Sequence, residues 1–219
     1  MAVQVQGNGG TVTEVGGSTF KAVHTHSKPL EYGALGHYAF NVRINSAAAQ
    51  AANSRLLEIR NSGTNLIIPT RITMRAIQTA AGTAQENSID CYKCTSFTVV
   101  DTVNTVTPVS SVKKTSGMSA FPGNAQVRHL TLAGAAAGMT GGTLTKDTQA
   151  FATLPYNVAA AINTTTIWGP VEAVPRSLDE HPFVFAQNEG FIIENRVLNV
   201  TSYGITWYLD VAWAEVASF

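Results

Sequence analysis

The stretch ITWYLDVAWAEV, residues 205–216, alternates without a slip. Ile205, Trp207, Leu209, Val211 and Trp213 fall on one side of an extended chain, and Thr206, Tyr208, Asp210 and Ala212 fall on the other. Successive side chains of a strand point to opposite faces, so the pattern is that of a half-buried β-strand with Trp207 and Trp213 on its core side. The run before it, FIIENRVLNV at 191–200, is β-branched and apolar, with Glu194 and Arg196 sharing a face. The intervening TSYG, 201–204, supplies the glycine a reversing chain uses, and the two runs together read as a hairpin.

Further upstream the same periodicity recurs. GHYAFNVRI, 36–44, sets Tyr38, Phe40, Val42 and Ile44 against His37, Ala39, Asn41 and Arg43. A strand through Leu57 and Ile59 stops at NSGTN, 61–65, a strong turn signal. The chain returns with Leu66, Ile68, Thr70, Ile72, Met74 and Ala76 on one face, and Ile67, Arg71, Thr73, Arg75 and Ile77 on the other. Pro69 cannot donate to a ladder, which places it at an edge or a bulge. Arg71 and Arg75 read as a solvated or subunit-facing stripe. IDCYKCTSFTVV, 89–100, follows a Gly- and Gln-containing break and reads as another strand. NSAAAQAANS, 45–54, is the one stretch rich in strong helix formers and predicts a short helix. Residues 101–150 are Thr-, Ser-, Gly- and Ala-rich, with one clear strand at VRHLTL, 127–132. WGPVEAVPRSLDEHPFVFAQ, 168–187, reads as a proline-bounded connection.

Strands with local reversals, and no helix of 10 to 15 residues between them, predict an all-β fold, an antiparallel β-sandwich rather than a parallel sheet. The expected organisation is a flexible N-terminal arm at 1–19, built on QGNGG and VGGS, then a single domain over 20–219. No repeat of solenoid or propeller length is visible.

Composition narrows the function classes. Charged residues make up 13% of the chain, against about 25% in ordinary soluble domains. Fourteen basic and fourteen acidic residues cancel, so little repulsion keeps copies apart, and a homo-oligomer is expected. The same neutrality argues against nucleic-acid binding, since Lys113 and Lys114 are the nearest approach to a basic cluster. No long apolar run and no basic-then-apolar leader appears at the N-terminus, so no membrane role is expected. Asn163 and Asn199 match the glycosylation pattern, as a Thr-rich chain does by chance.

The sequence offers few groups for chemistry. Cys91 and Cys94 form a C-x-x-C pair, but on a strand residues three apart diverge, and nothing nearby completes a zinc site. His24 and His26 would share a strand face, yet no further ligand is assignable among His37, His129 and His181. Asp179, Glu180 and His181 are adjacent in a loop context, without a nucleophile in register. Nucleophile-elbow, P-loop, dinucleotide and zinc-protease signatures are absent. The expectation is therefore a non-enzyme with no catalytic, cofactor-binding or metal residues. Tyr203, Tyr208 and Trp168 are candidates for a sugar-stacking platform, whereas Trp207 and Trp213 belong to the core.

HPFVFAQNEGFII at 181–193, followed by a last strand ending in WAEV, resembles a group of virion structural proteins of tailed bacteriophages. KPLEYGALGHYAFNV, NSAAAQAANSRLLEIR and IPTRITMRAIQT resemble the N-terminal half of the same group, while 101–150 matches poorly. The resemblance implies a capsid decoration or cement protein: a β-sandwich or jelly roll, dimeric or trimeric, bound to the major capsid protein on the capsid exterior after synthesis in the host cytoplasm. A tail or baseplate component binding host glycan or receptor is the alternative it allows.

Overall fold

The computed structural model describes residues 3–6, 12–15, 36–45, 50–108, 112–113, 124–131, 137–161, 166–174, 182–197 and 204–217. The chain divides into two compact units, Met1–Leu30 and Glu31–Phe219. In the first, β1 (Val3–Gln6) and β2 (Val12–Val15) pair antiparallel, Val3 opposite Val15 and Gln6 opposite Val12. This unit contains the 1–19 segment expected as an arm and runs on to Leu30.

The second unit is built from twelve further strands among the described residues: β3 (Gly36–Asn45), β4 (Ser54–Asn61), β5 (Leu66–Gln78), β6 (Gln85–Val99), β7 (Thr105–Val106), β8 (Val112–Lys113), β9 (Ala125–Leu130), β10 (Thr143–Lys146), β11 (Ala152–Val158), β12 (Thr166–Glu172), β13 (Gly190–Asn195) and β14 (Ile205–Val216). They form two antiparallel sheets. Sheet I runs β12-β5-β14-β3-β8. Sheet II runs β10-β6-β13-β4-β9-β7, with β11 also paired to β6. The nested pairs β3/β14, β4/β13, β5/β12 and β6/β11 are the ribs of one long antiparallel ribbon, laid alternately in sheet I and sheet II. That nesting has the topology of a jelly roll, and the packing of two antiparallel sheets as a sandwich is what the strand pattern predicted.

Between the sheets lies one core. Sheet I contributes Tyr38, Phe40, Val42, Ile44, Ile72, Met74 and the five alternating residues of β14. Sheet II contributes Leu57, Ile59, Ile89, Cys91, Val127, Leu154, Tyr156, Phe191 and Ile193. Tyr38 packs on Trp213 with ring centroids 5.6 Å apart, and Phe40 of sheet I meets His129 of sheet II at the same separation. Polar side chains tie the layers at their rims. The Glu215 carboxylate on β14 accepts the backbone N–H groups of Asn124 (3.0 and 2.9 Å) and Ala125 (3.3 Å), where β9 begins. Gln78 at the end of β5 brackets Ala159 after β11, donating to its carbonyl at 2.9 Å and accepting its N–H at 3.0 Å.

Several local readings are corrected. β13 and β14 are not a hairpin: each is a central strand with two partners already, β4 and β6 for β13, β3 and β5 for β14, and they lie in different sheets. The short helix does not appear among the described residues: 46–49 fall outside them, and 50–53 form turn and irregular backbone leading into β4. The segment through Trp168, Gly169 and Pro170 is strand β12, with a register shift between Trp168 and Val171, rather than only a connection. Pro69 does sit at an irregularity, since the register with β14 shifts between Ala212 and Trp213. The extra residue, Thr70, flips the alternation, so Ile67 lies in the core instead of on the Arg71 face. Among the described residues no helix is long and apolar enough to cross a membrane.

Gly190 opens β13 where backbones crowd. A Cβ there would stand 2.0 Å from the Ile59 carbonyl oxygen and 3.1 Å from the Arg60 Cα. Since strand backbone cannot yield as a side-chain tip can, Gly190→Ala is expected to cost about 2–3 kcal/mol, read as a lowered urea midpoint at unchanged slope.

Candidate functional site

Each sheet has an outer face, and the two are unlike. The outer face of sheet II is roofed over β13 and the adjoining part of β6, while Thr153, Pro155 and Asn157 of β11 stay exposed. Between β6 and β11 the chain makes a long excursion that adds β7 and β9 beyond β4, reaches β3 through β8, and returns as β10 alongside β6. Leu144 and Ala150 from the return pack on Tyr92, Cys94, Phe97, Val100 and Ile192, a second apolar cluster outside the main core. This explains why every residue of β13 is buried: it is covered from both sides.

A charge network holds the roof. Arg55 on β4 donates to Glu58 at 3.0 Å, to Asp101 at 3.1 Å, and to the Gly141 carbonyl. Glu58 accepts the Asp101 backbone N–H at 2.5 Å, and the Asp101 carboxylate accepts the N–H groups of Val103 (2.5 Å) and Gly141 (2.6 Å). Glu58 and Asp101 are wholly buried. One row along, Glu194 on β13 stands in register between Arg55 of β4 and Asp90 of β6, and Lys146 of β10 bonds to Glu194 while lying 4.4 Å over the Tyr92 ring. Burial pushes the Glu58 carboxyl up to about 6, although the Asp101 N–H and the Arg55 guanidinium pull it down. Burial likewise raises Glu194, against Lys146. Tyr92 is pushed up to about 12 by burial first and then by Asp90 and Glu194.

Beside this network opens a cleft of about 370 Å³ lined by Arg55, Gly141, Leu144, Lys146 and Glu194 among others. Its charged groups are engaged with one another: Arg55 and Lys146 each hold a carboxylate that is itself buried. The arrangement works as an ionic clasp between the excursion and the sheet.

The residues singled out from sequence are scattered. Cys91 lies in the main core and Cys94 in the outer cluster, both free, so the thiols diverge as the strand geometry required. Burial raises the Cys91 thiol and pushes Cys94 up to about 12, leaving neither poised for nucleophilic or ligand chemistry. His129 is buried, which lowers its pKa, and its Nδ1 lies 2.7 Å from the Leu130 carbonyl. The His37 ring is 3.1 Å from the Thr70 hydroxyl. Trp168 packs on Tyr156 at 5.8 Å and faces the core, away from Tyr208. His24, His26, Lys114, Asp179, Glu180, His181 and Tyr203 lie outside the described residues. Among the described residues no group of three or more His, Cys, Asp or Glu is placed to hold a metal ion.

Among the described residues the outer face of sheet I is open across its middle, while Thr206, Ala212, Ala214 and Val216 of β14 are buried on it. Across its middle Tyr208 of β14 stands in register with Arg43 of β3 and Arg75 of β5, and the next row is Asn41, Asp210 and Thr73. Arg43, Asn41 and Arg75 are exposed, and Tyr208 and Thr73 half-buried. Arg71 bonds Asp210 at 2.9 Å, and exposed Ile167 of β12 pairs with Ile77 at one end. No protein-family model, curated protein or solved structure matches the chain.

Two outcomes test the clasp. Arg55→Met strands two buried carboxylates and is expected to cost about 3–5 kcal/mol, with protease cleavage in 101–150 preceding global unfolding. The second concerns pH. With a folded value of about 6 against the usual 4.5, Glu58 contributes stability below pH 4.5 that is lost as pH rises through 6. The 1.5-unit difference corresponds to about 2 kcal/mol. In urea melts across that window, the stability of the wild type relative to Glu58→Gln should therefore fall by up to that amount as pH rises; parallel curves would refute the assignment.

Proposed function

We propose that this chain is a structural protein of a bacteriophage particle, most simply a decoration or cement protein that binds the major capsid shell from outside. The observation that carries the reading is the asymmetry of the sandwich. One outer face is covered over β13 by the protein's own excursion, and the other keeps an exposed polar patch across its middle. A module built that way acts by area and shape. The jelly roll is a frequent fold of viral shells, although it also serves lectins and cupins, so the fold supports the reading only by analogy. The order of HPFVFAQNEGFII and WAEV along the chain supports it from sequence. Near-neutral, charge-poor composition favours dimers or trimers of the isolated protein.

Copy number tests this. Quantitative mass spectrometry of purified particles from the phage that encodes the chain should find it in hundreds of copies, and cryo-EM should find its density on the head. A few to a few dozen copies, confined to the tail, would favour the tail or baseplate alternative; absence from particles would end both.

A further inference from the structure

We infer that the open middle of the outer face of sheet I is a docking surface for an acidic, carboxylate-bearing protein surface, with Arg43 and Arg75 as its ionic anchors and the Tyr208 ring between them. If the particle-protein reading holds, that acidic surface belongs to the shell.

The register fixes the anchors. Residues directly opposite on neighbouring strands sit about 5 Å apart, so the two arginines flank the tyrosine within one cross-strand row. Around that row the other charges are accounted for: Arg71 is engaged with Asp210, and Glu172, opposite Thr73 on the edge strand β12, has an interaction of its own. Among the described residues the face thus carries Arg43, Arg71 and Arg75 against Asp210 and Glu172, with Arg43 and Arg75 at its middle. Arginine and tyrosine, rather than lysine, are the residues enriched where proteins meet, and the guanidinium fork matches a carboxylate edge-on. Exposed Ile167 with Ile77 adds an apolar end to the patch.

Other surfaces are less suited to this partner. Outer sheet II is roofed over β13 and part of β6. Among the described edge strands, β7 and β8 are two residues long, β11 contains Pro155, and β12 is broken in register around Pro170. A second copy meeting the same face about a two-fold axis would bring guanidinium rows together, and Asp210 is already paired.

The experiment compares wild type, Arg43→Glu/Arg75→Glu and Arg43→Gln/Arg75→Gln in two assays. Thermal midpoints are checked first, since both positions are exposed and the variants should fold normally. On a poly-L-glutamate column, wild type should be retained at low salt and released at high salt, the Gln pair retained less, and the Glu pair not at all. On heads assembled without this protein, the Glu pair should bind at least about tenfold more weakly than wild type. Equal retention of wild type and the Glu pair on polyglutamate overturns the inference. So does equal binding to heads, or an oligomer of the isolated chain that falls to monomers only in the Glu pair, since the face would then be a self-contact. Retention of wild type on polyglutamate with no binding to heads leaves the acidic-partner inference standing and removes the shell reading.

Discussion

Everything in the larger unit hangs on the burial of one face of β14. Ile205, Trp207, Leu209, Val211 and Trp213 are all withdrawn from water, each contributing on the order of 1.5–3 kcal/mol by transfer alone. Because β14 is the central strand of sheet I, that face must be met by sheet II, and β3 and β5 must flank it. The strand with the strongest alternation therefore occupies the slot with the most neighbours, and the nesting of the other ribs follows from it.

That is also why the fold class was legible. Alternation reports burial on one side: it runs unbroken through β3 and holds from Trp207 to Val211 of β14, whose two ends are buried on both faces. Where the structure departs from two-residue periodicity, the sequence misleads. At Thr70 a single extra residue reverses the sense of β5, so Ile67 faces inward although its parity matches Arg71. A second shift, at Leu56, does the same in β4: Arg55 and Glu58 are three apart and ought to face opposite ways, yet they meet on the outer side of sheet II. No spacing rule would have paired them, and Asp101 joins them only through the return of a distant loop. β11 was missed for a different reason. Ala152, Leu154, Tyr156 and Val158 do alternate, but Pro155 in their midst speaks against a strand until it is seen to be an edge. β13 shows the opposite failure: buried on both sides, it loses alternation, and adjacency in sequence then suggests a hairpin that its occupied edges forbid.

The clasp in turn resolves an oddity of composition. A chain with 13% charged residues still commits Glu58, Asp90, Asp101 and Glu194 to buried positions on one sheet face. Such burial is rarely a net gain in stability compared with a well-packed apolar patch. What it supplies is definition. A segment rich in Gly, Ala, Thr and Ser has little shape of its own to fix where it lies, and apolar contact through Leu144 and Ala150 alone would let it slide. Carboxylates that must meet Arg55, Lys146 and specific backbone N–H groups permit one placement.

Fixing the roof has a consequence at the far side of the sandwich. With the β13 side of the sandwich covered, the polar middle of the outer surface of sheet I is, among the described residues, an area where charged side chains stand exposed on a flat ladder. Strand register fixes the backbone positions of these side chains, so only their own rotamer freedom is lost when a partner arrives. A guanidinium row spaced by strand register presents its donors at fixed backbone intervals, so its attraction to carboxylates is short-ranged and weakened by salt. The same register that buries Trp207 and Leu209 on one side of β14 thus spaces Tyr208 and its two arginines on the other, and core and contact surface are two readings of a single strand.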